Sequence, residues 1–170
     1  CVMGLAMGTS QAAGYVDGEG RILGWLNELA FAPVDFSPQA AKDDWSGDTG
    51  VGGQYFSQDA VIRLAPAAGI LLSETLTPAE KLSAVQELAA AGDPRALTIF
   101  RDIGVYLGHT LPLYAGVYEL KNLMVLGRVA SGIGGELIVS ECRRVLAGGY
   151  PALPVSGSPP DQQFPRSGPS

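Results

Sequence analysis

The hydroxyls of Thr9 and Ser10 follow Gly8 at the point where an apolar run reverses direction. The stretch 1–16, CVMGLAMGTSQAAGYV, reads as a strand, a sharp turn at Gly8-Thr9-Ser10, and a second strand returning through Tyr15 and Val16. Glycine gives such a turn backbone freedom, and two hydroxyls beside free backbone N–H groups can converge on one anion. The matching chemistry is phosphate binding; an ordinary small-residue hairpin tip is the alternative, and this stretch alone leaves both open. A second candidate is Gly127-Arg128-Val129-Ala130-Ser131-Gly132, where the apolar strand 123–126 ends in a glycine loop before a helix. Backbone N–H groups and a helix N-terminus meet there, as in nucleotide-binding α/β units, with Arg128 interrupting the loop. Asp43, Asp44 and Asp48 place three carboxylates in one loop, but their spacing fits no calcium loop and reads as a solvated acidic face. His109, the single histidine, sits between Gly108 and Thr110 on a helix and reads as a structural helix-face residue.

These residues need elements to position them. Asp17-Gly18-Glu19-Gly20 signals a turn, and 21–24 then offers a third strand, giving an antiparallel meander. After a loop containing Pro33 and Pro38, the segment 52–64 carries Tyr55, Phe56, Ala60, Val61 and Leu64 near helical period, with Pro66 as its stop. Thr77-Pro78-Ala79-Glu80 opens a helix through a capping box, and Leu82, Val85, Leu88 and Ala89 form its stripe up to Gly92. Asp93-Pro94 opens the next helix by the same device. Apolar residues on more than one of its faces place it between a sheet and another helix, and Pro112 kinks it or marks its last turns. After the strand 123–126, a helix carrying Leu137, Ile138, Cys142, Val145 and Leu146 runs to Gly148-Gly149. From Tyr150 on, six prolines and little aliphatic periodicity predict a disordered or aberrant tail, 150–170, with no domain of its own.

With 170 residues, 46% hydrophobic and 16% charged, the chain can bury one core, spanning 1–149. The net charge of −6 and the lack of a basic stripe argue against nucleic-acid contact by this segment. Cys1 and Cys142 fit two free thiols in a reducing cytoplasm better than a disulfide framework or a zinc motif. No apolar stretch reaches the roughly 18–20 residues of a membrane span. The chain opens directly in a strand without an initiator Met, which points to a fragment whose N-terminal part is missing.

Taken in order, these pieces resemble the C-terminal half of a ROK-family protein (repressor, open reading frame, kinase) over roughly Val2 to Gly149. The hairpin Gly8-Thr9-Ser10-Gln11-Ala12-Ala13-Gly14 is similar to the family's phosphate loop, GTGxGxG, keeping the first Gly-Thr and the last Gly. Asn27-Glu28-Leu29-Ala30-Phe31 resembles the sugar-contacting GEIGH, with Glu28 kept and Phe31 in the histidine's place. The zinc loop CxCGxxGCxE aligns with 44–53; Gly47 and Gly50 remain, while Asp44, Ser46 and Val51 replace the cysteines. Loss of all these ligands together implies a metal-free variant, since zinc needs about four N or S ligands. Gly92-Asp93-Pro94-Arg95-Ala96 resembles the GDxxA that opens a long helix. The segment 123–132 resembles the strand and Gly-Gly loop that meets adenosine, with Arg128 replacing the second glycine.

The resemblance implies an α/β chain forming half of an actin-like (ribonuclease H-like) ATPase/sugar-kinase fold. It implies ATP with Mg²⁺ and no zinc. Gly8, Thr9, Ser10, Gly127, Arg128 and Ser131 would contact the nucleotide, and Glu28 would accept a hydrogen bond from a sugar hydroxyl. Family kinases transfer a phosphoryl group to a sugar, using an Asp base that lies upstream of this hairpin, so no residue here takes that role. The alternative is a non-catalytic ligand-binding or transcription-regulator protein on the same scaffold, or an inactive fragment. The implied partner is a sugar or sugar-like small molecule, without nucleic-acid or membrane contact by this segment. The implied location is cytoplasmic, and homo-oligomerisation stays open.

Overall fold

The computed structural model describes residues 1–25, 27–153 and 156–158; Leu26 and the rest of the expected tail lie outside the described residues. Strands β1 (Val2–Met7) and β2 (Gln11–Val16) form an antiparallel hairpin, with Met7 opposite Gln11 across the turn. Helices α1 (Gln58–Ala67), α2 (Pro78–Ala90) and α3 (Pro94–Ala115) come next. Strand β3 (Asn122–Leu126) then lies parallel to β1, and α4 (Gly132–Gly149) completes the helical layer. A short β4 (Ser156–Ser158) pairs parallel with β3, so the sheet order is β2-β1-β3-β4.

Alternation along the strands sets the two faces of the sheet. Met3, Leu5, Met7, Tyr15, Leu123 and Val125 point to the helices and are buried. Val2, Gly4, Ala6, Val16, Met124 and Leu126 line an open apolar groove on the other face. α3 is the central helix, with Ile99, Phe100, Ile103, Leu107 and Leu111 wholly buried. Each such side chain contributes about 1.5–3 kcal/mol by leaving water. Close approach of α3 to α4 depends on two glycines: a Cβ on Gly104 would lie 2.5 Å from Ile138 O, and one on Gly108 would lie 2.6 Å from Val145 Cβ.

The helix starts follow their caps. Thr77 Oγ1 accepts from Glu80 N while a Glu80 carboxylate oxygen accepts from Thr77 N at 2.7 Å, and the Asp93 carboxylate accepts from Arg95 N. Three expectations change. The third strand, 21–24, reduces to a single bridge between Val16 and Ile22, because Asp17 gathers the chain into a tight turn. Its carboxylate accepts from Glu19 N, Arg21 N and Arg21 Nε. Pro66 does not stop α1 ahead of itself; it sits in the last turn, where only the end of the hydrogen-bond ladder is lost. The helix expected over 52–64 begins only at Gln58, and Gly52–Gln54 forms a separate 3₁₀ turn.

Candidate functional site

The hairpin tip is the centre of the candidate site. Gly8 lies outside the left-handed region, and a Cβ there would meet nothing closer than Ser10 O at 4.0 Å. The turn therefore does not need glycine for its own geometry. What the glycine leaves is open space beside the exposed Thr9 and Ser10.

Gly127 is a different case. Its φ is +92°, and an added Cβ would overlap the backbone of Met7 at the end of β1. That close approach seats the β3–α4 loop on the hairpin, and Val129 N donates to Met7 O at 3.0 Å. The Arg128 carbonyl accepts from Gln86 Nε2 (2.6 Å) and from Ser131 Oγ (2.7 Å). Because Ser131 turns its hydroxyl back to Arg128, it makes no side-chain cap on α4. Arg128 itself reaches over the hairpin, where its Nη2 donates to Thr9 Oγ1 at 3.4 Å.

The tip is anchored from below by Gln11, which is 4% exposed. With the amide assigned so that nitrogen faces carbonyls, Gln11 accepts from Tyr114 Oη (3.1 Å) and donates to Gly52 O (3.1 Å) and Leu29 O (3.3 Å). Burial pushes the Tyr114 phenol up to about 12, so it stays a neutral donor. One side chain thus ties β2 to α3 and to the two 3₁₀ turns, Leu29–Phe31 and Gly52–Gln54.

The loop that resembles a zinc loop is held by hydrogen bonds. The Asp43 carboxylate accepts from Ser46 N (2.7 Å) and from Gln54 Nε2 (2.8 Å), and these bonds hold it below the usual carboxylate range. Gly47 and Gly50 both have positive φ, +79° and +75°, which explains why glycine suits these two positions. Tyr55, just after the 3₁₀ turn Gly52–Gln54, holds the preceding segment: its hydroxyl donates to the Asp35 carboxylate at 2.5 Å and accepts from Ala41 N at 3.0 Å.

Two cavities flank the Thr9–Arg128 contact. The first, about 380 Å³, lies between α2 and α4 and is lined by Gln86, Ala90, Phe100, Ser131, Gly132 and Gly134, among others. The second, about 460 Å³, is lined by Thr9, Ser10, Ala30, Phe31, Asp43, Trp45, Gly53 and Asp59. Both fall in the size range of small-molecule sites. Phe31 and Trp45 form a tilted aromatic pair at the second cavity, with centroids 5.6 Å apart. Asp59, in the first turn of α1, has its carboxyl pushed above the usual range by burial first and by Asp43 and Asp44 second.

The expected site residues therefore distribute as follows. Thr9 and Ser10 share a cavity with Phe31 and Gly53, so the hairpin, the 27–31 segment and the 44–53 loop do converge. Ser131 lines the other cavity, and Gly127 shapes the loop between the two. Glu28 is exposed, immediately precedes the 3₁₀ turn carrying Phe31, and does not line the second cavity. Asp59, Trp45 and Gln86 carry no local sequence signal for a site; only assembly of the fold brings them to the cavities. His109 lies at the surface, 3.2 Å from the Tyr150 hydroxyl and away from both cavities. Among the described residues, no helix is long and apolar enough to cross a membrane.

No family model and no curated protein sequence matches the chain. Solved structures do. A ROK-family glucokinase from Streptomyces griseus, in complex with glucose and AMPPNP, superposes with a TM-score of 0.63 at 22% identity, over 92% of this chain and 52% of that one. A ROK hexokinase from Thermus thermophilus gives 0.65 at 22% identity, over 92% and 51%. A ROK-family transcriptional regulator, a homolog of the E. coli MLC protein, gives 0.69 at 20% identity, over 92% and 40%. The chain thus has the α/β fold of ROK sugar kinases and regulators, and spans about half of their length or less.

Proposed function

We propose that this chain forms the nucleotide-side part of an ATP-dependent sugar kinase. The observation that carries the reading is the pair of cavities separated by the Thr9–Arg128 contact. Phosphoryl transfer from a nucleotide to a sugar needs such an arrangement: a nucleoside site, a sugar site, and anion-binding groups between them.

In this reading the cavity of Gln86, Phe100 and Ser131 takes the nucleoside, with polar groups at its rim and an aromatic ring at its base. Gly8 keeps the turn open while the Thr9 and Ser10 hydroxyls, Gly127, Arg128 and Ser131 form the phosphate path. ATP with Mg²⁺ supplies the transferable phosphoryl group. The sugar or sugar-like substrate enters beside Phe31, Trp45 and Asp59; Glu28, exposed and outside that cavity, accepts only a hydroxyl that projects beyond it. No side chain of this segment is assigned as the general base. That the Streptomyces griseus glucokinase is in complex with both glucose and AMPPNP supports pairing a sugar with a nucleotide. A cytoplasmic location accords with the reading.

A second reading is a ligand-sensing or regulatory protein on the same scaffold. Phe31, Arg128, Ser10 and Ala12 favour it, since each departs from the kinase-like pattern, and one structural relative is a transcriptional regulator. The two are separated by titrating the chain with AMPPNP·Mg²⁺ while following backbone amide shifts. Shifts at 8–10 and 131–134 support the kinase reading. A silent spectrum at millimolar nucleotide contradicts it.

A further inference from the structure

We infer that Arg128 is a specificity-determining residue that makes the site select polyphosphate over uncharged nucleoside. The inference rests on the nucleotide reading above, which places Arg128 on the phosphate path, and adds a direction of selectivity to it. The position is fixed by backbone, so the side chain starts from a defined place. Gly127 abuts Met7, Val129 N donates to Met7 O, and the Arg128 carbonyl is held by both Gln86 and Ser131. Four constraints from three elements therefore aim one guanidinium at the hairpin tip.

The guanidinium is also available. It offers five donors in a planar fork suited to phosphate oxygens. Among the described residues it makes one hydrogen bond, to Thr9 Oγ1 at 3.4 Å, and no ion pair. A bond that long to a neutral hydroxyl is weak and exchanges readily for a charge-assisted one. Arg95, by contrast, is committed to Asp93 at 2.7 Å and to Gly69 O at 2.9 Å, and Arg144 to Glu141 at 2.6 Å. In a chain with net charge −6, an uncommitted arginine between two cavities creates a local positive spot. A ligand leaving the second cavity past Thr9 comes within reach of the guanidinium that Thr9 contacts, which favours an anionic group there.

The test compares ATP, tripolyphosphate and adenosine by isothermal titration against the wild-type chain, Arg128→Ala and Arg128→Lys. Arg128 has an ordinary backbone conformation, so either replacement leaves the loop intact. Arg128→Ala is expected to weaken ATP and tripolyphosphate about tenfold or more, as for loss of a charge-assisted hydrogen bond, while adenosine is unchanged. Arg128→Lys recovers part of the loss, because it keeps the charge but not the fork. If the wild type binds ATP and adenosine and Arg128→Ala binds ATP as tightly, the role of Arg128 is overturned and the nucleotide reading stands. An equal loss toward adenosine overturns the role too. If the wild type binds neither ATP nor adenosine, both the reading and the inference fall.

Discussion

Removing Gln11 tests how the site is held. In Gln11→Ala, the hydrogen bonds to Tyr114, Gly52 and Leu29 vanish together. The two carbonyls keep partners, since Gly52 O also accepts from Tyr55 N and Phe56 N, and Leu29 O from Ala32 N. Each of them therefore loses a supplementary bond, about 0.5–1 kcal/mol. The Tyr114 hydroxyl, in a residue only 4% exposed, loses its one partner among the described residues and costs about 1–3 kcal/mol. The expected destabilisation is about 2–5 kcal/mol, a large share of the total of roughly 5–15 kcal/mol for a typical domain. Urea unfolding measures it, with an unchanged m-value showing that only stability moved. In a Tyr114→Phe background the orphaned hydroxyl is gone, so Gln11→Ala should cost about 1–3 kcal/mol less. A loss below about 0.5 kcal/mol in the wild-type background, or strict additivity with Tyr114→Phe, would refute the anchoring argument.

Two other perturbations follow from the same geometry. The Asp59 carboxyl titrates above its ordinary value of 3.8 in the folded chain, chiefly through burial, so the native state holds that proton more tightly than the unfolded state. Its contribution to stability therefore falls as pH rises from the unfolded value through the folded one, and Asp59→Asn should raise the urea midpoint at pH 7 more than at pH 4. A lower midpoint at both pH values would contradict this. Gly108→Leu forces a Cβ to within 2.6 Å of Val145 Cβ and should cost about 1–3 kcal/mol or more in thermal or urea unfolding. Gly148→Ala, with nothing within 4 Å, should be neutral or stabilising; equal effects from the two would rule out the close α3–α4 contact.

Local signals carried far into this fold. The box at Thr77 and Glu80 and the Asp93-Pro94 start each specify a helix end through side-chain hydrogen bonds made within three residues, and both helices begin where those residues lie. The hairpin was legible because its alternation and its turn lie within sixteen residues. The misses have a common cause, which is that longer-range partners decide them. Arg21 to Gly24 has the composition of a strand, yet the Asp17 carboxylate pulls Arg21 into the turn instead. Leu123 to Leu126 is apolar at every position, but the sheet is covered by the helices on one face, leaving Met124 40% exposed. The second cavity joins Thr9, Phe31, Trp45 and Asp59, fifty residues of chain whose convergence no local pattern encodes.

The most direct test of the central claim is the amide-shift titration of the chain with AMPPNP·Mg²⁺, followed by addition of glucose. The account predicts nucleotide-dependent shifts at Ser131 to Gly134 and at Gly8 to Ser10, with Arg128 between them, and separate sugar-dependent shifts near Phe31, Trp45 and Asp59. Nucleotide shifts confined to residues outside both cavities, or no shift from either ligand, would contradict it.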